Sequence, residues 1–247
     1  MAAKKAENQP YYLGLDGCRA GWVAAKWSGK NATYELLTTV EALQAAIAGA
    51  ARTFIDIPIG LESEIYNRQS DVELRKVLGK EYASSVFDAP IRPAAEAPNY
   101  SMASMISFDY TEKKISMQTW NITPKIMQVD ALLRANELLK GSCFESHPEL
   151  LFKILNGGNI VEQKKSTSLG MKHRINLLKT YMPNVKDLYR EVRENENAKD
   201  LKDNDLLDAM VLAVFAKISD ENGMKTIPEQ PKQDEFGLTM AIHYAEL

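Results

Sequence analysis

The sequence predicts an α/β fold: a mixed five-stranded sheet, an antiparallel meander plus parallel strands, flanked by helices and carrying a largely helical insertion. Three observations predict it. Short apolar runs separated by turn signals open the chain, a charged helical block follows the fourth run, and a helix apolar on every side lies near the C-terminus.

Met1 to Pro10 is polar, contains lysine and lacks the apolar stretch of a signal peptide, so residues 1–10 read as a disordered lead-in. Tyr11 to Leu15 is a mostly apolar strand that stops at Asp16-Gly17. Trp22 to Trp27 is a second strand, Ser28 to Asn31 a turn, and Thr33 to Val40 a third strand rich in β-formers. Such short connectors favour an antiparallel meander. Glu41 to Ala51 has helical composition, and Thr53 to Ile57 is a fourth strand closed by Pro58 and Gly60. A helix after the meander returns the chain beside the first strand, so the fourth runs parallel to it.

Residues 61–140 read as a helical insertion in a single domain spanning 11–247. Glu62 to Leu78 is charged and amphipathic, Pro90, Pro93 and Pro98 break the following stretch, and Pro124 opens a helix stopped by Gly141. Ser142 to Ser146 is the fifth strand. Short helices follow at Glu149 to Leu155 and Leu169 to Tyr181, then a charged helix or loop from Lys186 to Asp200. Asp205 to Ser219 is the clearest helix, and a short strand near Leu238 to Tyr244 ends the chain.

Composition narrows the class. A chain of 247 residues with 45% hydrophobic content can bury a substantial core. No apolar run approaches the roughly 18 residues of a membrane span. Cys18 and Cys143 form no disulfide or zinc framework, which favours reduced thiols and a cytoplasmic location. The net charge of −3 argues against a protein that grips nucleic acid mainly by neutralising its backbone.

The acidic residues carry the chemistry. Asp208 lies inside a helix that is apolar all round, hence buried, and a buried carboxylate needs compensation that a bound cation supplies. Asp205, three residues earlier, shares its face, although an acid in the first helical turn also suits the helix dipole. Asp56 stands between Ile55 and Ile57 at a strand end. Asp16 has the same setting, with a turn role beside Gly17 as its plain alternative. The C-terminal ends of parallel strands share one sheet edge, which is where open α/β sheets place their chemistry. Clustered carboxylates raise one another's pKa and suit hard cations such as Mg²⁺ or Mn²⁺; two such ions about 3.5–4 Å apart serve phosphodiester hydrolysis.

Four segments resemble the DUF429 family: Gly14-Leu15-Asp16-Gly17-Cys18-Arg19-Ala20-Gly21-Trp22, Ile55-Asp56-Ile57-Pro58-Ile59-Gly60-Leu61, Glu145-Ser146-His147-Pro148-Glu149-Leu150 and Asp205-Leu206-Leu207-Asp208-Ala209. The resemblance spans about residues 12 to 220. It implies a ribonuclease H-like fold and a metal-dependent nuclease. On that reading Asp16, Asp56, Glu145 and Asp208 are catalytic, and Asp16, Asp56, Asp205 and Asp208 hold the metal. The expected substrate is a nucleic acid or a nucleotide, bound by Arg19, His147, Lys165 and Arg174. Arg92 and Lys125 are further phosphate-contact candidates, whereas Trp22 and Trp27 read as packing residues. Two other classes compete: a catalytically silent scaffold on the same fold, and a phosphotransferase of the actin and sugar-kinase type. The second normally needs a duplicated domain, and the chain shows no second copy. The oligomeric state is not legible.

Overall fold

Apolar and small residues alternate through β1 (Tyr11–Cys18), so both of its faces pack. The computed structural model describes residues 10–64 and 68–247, which leaves all of the expected lead-in except Pro10 outside the described residues. β1 pairs antiparallel with β2 (Gly21–Trp27), which pairs antiparallel with β3 (Ala32–Leu37). Helix α1 (Val40–Gly49), capped by the Thr39 side chain accepting from the Ala42 N–H, carries the chain to β4 (Ala50–Ile55), which runs parallel to β1. β5 (Cys143–Glu145) extends the sheet parallel to β4 and gives the order β3-β2-β1-β4-β5. The mixed α/β architecture, the meander and the parallel fourth and fifth strands match the sequence reading.

Between β4 and β5 the described residues form α2 (Gln69–Leu78), a 3-10 turn (Ala83–Ser85), α3 (Arg92–Ala95), α4 (Tyr100–Thr111), α5 (Met117–Ala135) and α6 (Glu137–Lys140). After β5 come α7 (Pro148–Leu155), α8 (Ser168–Leu178), α9 (Val185–Asn195) and α10 (Asp203–Asn222). A separate antiparallel hairpin of β6 (Lys225–Gln233) and β7 (Thr239–Tyr244) follows. No helix among the described residues is long and apolar enough to cross a membrane.

Two hydrophobic layers flank the sheet. On one side Val23, Ala25 and Phe54 pack with Met210, Ala213 and Val214 of α10. On the other Leu13, Leu15 and Ile55 pack with Leu43 and Ile47 of α1 and Ile126 and Val129 of α5. The strand period of two places Gly14 and Asp16 on the α10 side. A Cβ at Gly14 would stand 1.9 Å from the Ala209 carbonyl oxygen and 2.4 Å from the Ala213 nitrogen, so only glycine admits the helix this close. Gly14→Ala is expected to destabilise the protein by about 3 kcal/mol, the upper part of the usual overpacking range. Chemical denaturation measures it, and a loss below about 1 kcal/mol would mean that α10 moves aside freely.

Several local expectations are corrected. β1 continues through Gly17 to Cys18, because Asp16 to Cys18 still pair with β2 after β4 has ended. β3 stops at Leu37, since Thr39 is committed to capping α1. Pro124 lies inside α5 instead of opening it. The helix starts after Ser116, whose side chain accepts from the Thr119 N–H. The charged stretch from Lys186 to Asp200 is helical as far as Asn195, in α9, but is not wholly exposed, since α9 buries a stripe of Val185, Leu188 and Val192. β6 was not expected, since Lys225 to Gln233 is polar and holds two prolines.

Candidate active site

The sheet register brings the strand-end acids together. Leu15 of β1 is level with Ile55 of β4, and Ile55 with Glu145 of β5. The next backbone bonds, Asp56 N–H to the Leu15 carbonyl (3.0 Å) and Ser146 N–H to the Ile55 carbonyl (2.9 Å), close the parallel ladder. Asp16, Asp56 and Ser146-His147 therefore follow one another across one edge. α10 delivers Asp208 to the same place from the buried layer behind β1, with Asp208 fully buried. A cleft of about 350 Å³ opens here, lined by Asp16, Asp56, Glu145, His147, Lys165 and Asp205 among others. Its far wall comes from the helical segment between β4 and β5, through Leu74, Val86, Phe87, Ile122 and Lys125.

The electrostatics are those of crowded carboxylates. Burial, then the negative charges of Asp56 and Asp208, hold the Asp16 carboxyl well above the usual carboxylate range, while Lys165 pulls the other way. Burial pushes Asp56 up to about 7, with Lys165 opposing and Asp208 and Glu149 adding to the rise. Lys165 donates to Asp208 Oδ2 at 2.7 Å, and this charge chiefly, against the cost of burial, raises the Lys165 pKa. The other oxygen, Asp208 Oδ1, is buried and has no hydrogen-bond partner. Asp16 Oδ1 accepts from the Gly17 N–H at 2.7 Å.

Other expected residues have different duties. Asp205 lines the cleft, but its carboxylate accepts from the Lys202 N–H (3.2 Å) and the Asn204 amide (2.9 Å), as an acid anchoring the start of α10. Glu145 also reaches the cleft wall, yet both its oxygens are taken. Arg68 donates to Oε1 at 3.2 Å and to Oε2 at 2.5 Å, and the Ile59 N–H donates to Oε2 at 2.7 Å. Burial alone would lower the Arg68 pKa; Glu145 and Asp71 more than offset it. Arg174 is fully buried and binds both oxygens of Glu149, at 2.9 and 2.8 Å, so it is not a phosphate contact. Arg92 is likewise committed, to Asp130 and Asp234. Arg19 is exposed in the β1–β2 turn and is not part of the cleft wall.

His147 does belong to the cleft. Burial lowers its pKa; Nε2 stands 3.4 Å from the Ser85 carbonyl and buried Nδ1 has no partner. Lys125 lies over the Trp22 ring and beside Gly17, which places a second cation on the wall. Trp22 is a core residue whose Nε1 donates to Gln128, and Cys18 and Cys143 are buried free thiols. Reasoning from sequence missed Lys202, Arg68 and Asp71. The ion pair of Arg68 with Glu145 spans 77 residues and leaves no local signal.

Among the described residues, no group of three or more His, Cys, Asp or Glu side chains stands ready to enclose a metal ion. Lys165 supplies the positive charge at the cluster. The donors are nonetheless all hard carboxylate oxygens, and the orphaned Asp208 Oδ1 is an acceptor that a cation would satisfy, so the residues fit Mg²⁺ or Mn²⁺ chemically.

The model of the family described as a protein of unknown function, DUF429, matches residues 14–233. No curated protein and no solved structure matches the chain.

Proposed function

The chain belongs to the DUF429 family, and from the site's geometry we propose that it is a metal-dependent phosphodiesterase of nuclease type on a ribonuclease H-like sheet. The observation that supports this best is the meeting of Asp16 from β1, Asp56 from the end of β4 and Lys165 in one cleft, with Asp208 of buried α10 directly behind them and bound to Lys165. Carboxylates kept together at the cost of mutual repulsion mark a functional site more often than a structural one.

Asp16, Asp56 and Asp208 would hold a Mg²⁺ or Mn²⁺ ion. Such an ion would supply a lowered water pKa and positive charge against the phosphoryl oxygens. The side chains do the rest. Lys165, no longer needed by Asp208, turns its ammonium to the phosphate, and Lys125 meets it from the opposite wall. In the reaction the water oxygen bonds to phosphorus, one ester P–O bond breaks, and the leaving oxygen takes a proton. The attacking water gives up a proton as it bonds, and His147, whose Nδ1 has no partner, is the side chain at the cleft that would accept it and return it to the leaving oxygen.

The test is calorimetric titration of Mn²⁺ or Mg²⁺ into the wild type and Asp56→Asn, followed by hydrolysis of bis(p-nitrophenyl) phosphate. Binding and turnover in the wild type, both lost in the variant, are expected. No binding by either protein, even with a nucleotide present, would leave the silent scaffold as the better reading. Lys165→Ala should bind the ion about tenfold more tightly, because a competing charge is gone, while turning over substrate at least about tenfold more slowly. Weaker ion binding in that variant would show that Lys165 does not compete for Asp208.

A further inference from the structure

The carboxylate cleft does not end at Lys165. A second, wider groove of about 860 Å³ adjoins it, and the two share Ser85 and Lys165 as lining residues. The groove runs between the 3-10 turn, with Tyr82 and Ser84, and the loop holding Ile160, Glu162 and Lys164. The Tyr82 hydroxyl donates to the Val161 carbonyl, which ties these two walls together.

Size and charge both constrain what lies here. The cleft alone has the volume of a small-molecule site, whose usual range begins near 300 Å³. It is walled by Leu74, Val86, Phe87 and Ile122, apolar side chains that offer a phosphate backbone no partner. The groove presents Glu81 and Glu162, neither ion-paired among the described residues, and Lys164 is the only cation added to the shared Lys165. Glu149, its third acid, is already bound to Arg174. A polymer threaded through the groove would set its next phosphates against those glutamates. An uncharged sugar and base would instead find hydroxyl, carboxylate and aromatic partners.

We propose that the substrate is a single nucleotide-sized phosphoester, its phosphate in the cleft against the ion that Asp16 and Asp56 would help to hold, and its neutral portion passing Ser85 into the groove beside Tyr82. This rests on the phosphodiesterase reading and narrows it: the polymer is excluded by the glutamates and by the helical wall.

The experiment compares four substrates with Mn²⁺-loaded full-length protein: bis(p-nitrophenyl) phosphate, the p-nitrophenyl ester of a nucleoside monophosphate, a single-stranded oligonucleotide and a duplex of the same length. The expected result is a kcat/KM for the nucleotide ester at least about tenfold above either polymer, per scissile bond, and above bis(p-nitrophenyl) phosphate. Equal or faster cleavage of a polymer overturns the inference and leaves the phosphodiesterase reading standing. Hydrolysis of bis(p-nitrophenyl) phosphate alone does the same. No hydrolysis of any substrate removes both. In the double variant Glu81→Gln with Glu162→Gln, the preference over the single strand should narrow. Both positions are exposed, so folding is not at issue, and an unchanged preference would overturn the role given to the groove's charge.

Discussion

Asp56→Asn is expected to cut the proposed metal-dependent phosphodiester hydrolysis by roughly a thousandfold and at the same time to raise the melting temperature of the metal-free protein. The two effects have one cause. In the folded chain Asp56 takes up its proton near pH 7, against an ordinary value of 3.8. Between those values the folded state binds more protons than the unfolded one, so stability falls as pH rises through the window. The full shift corresponds to about 4 kcal/mol. Because Asp56 borders a cleft that water reaches, a net gain of about 1–2 kcal/mol for the amide at neutral pH is the sounder expectation. For a chain of this size that is roughly 2–8 °C. The difference between wild type and variant should shrink on acidification to pH 5 and disappear near pH 4. A variant less stable than the wild type at pH 7 without metal would show that Asp56 is held by favourable contacts and carries no excess repulsion.

Glu145→Ala gives the opposite sign. Arg68 is 1% exposed and would be left with Asp71 at 3.6 Å as its remaining ion-pair partner. Removing one member of a buried pair costs about 3–5 kcal/mol, because the other charge stays in the interior. That predicts a fall of roughly 10 °C or more at about pH 8, narrowing on acidification because burial pushes the Glu145 carboxyl up to about 7. Replacing both members, Glu145→Met with Arg68→Met, should recover most of the loss. A Glu145→Ala protein that melts like the wild type but no longer turns over substrate would return Glu145 to the catalytic group. Two carboxylates at neighbouring strand ends, one sequence position apart in setting, are thus separated by the direction in which their removal moves stability.

What was legible in the sequence follows the same physics. The meander and β4 could be read because apolar runs between turn residues are local signals, and α10 because no surface helix is apolar on every side. The acids at Asp16, Asp56 and Asp208 stood out because each interrupts an apolar run. Identifying what neutralises a buried acid requires distant contacts. Arg68 with Glu145 and Arg174 with Glu149 lie among ordinary charged residues, and only the folded chain shows that they are inside. Asp205 carried two local meanings, ligand or helix anchor, and its hydrogen bonds are those of the anchor. β6 escaped because its prolines and polar residues suppress every strand signal; its pairing comes from β7. Pro124 misled because proline favours a helix's first turn, whereas here Ser116 had already begun the helix.

The contact of Gly14 with Ala209 and Ala213 also orders events in time. During synthesis at about 5–20 residues per second, β1, β2 and β4 leave the ribosome long before α10 exists. Until then their α10-facing side, with Val23, Ala25 and Phe54, has no cover, and Asp16 and Asp56 lack Asp208. The nascent chain therefore carries a sticky sheet and an incomplete carboxylate cluster, and both conditions end together when α10 docks. Long-range closure of this kind folds slowly. It also couples the cluster to assembly: a chain that has not buried α10 has not brought Asp208 up to Asp16 and Asp56.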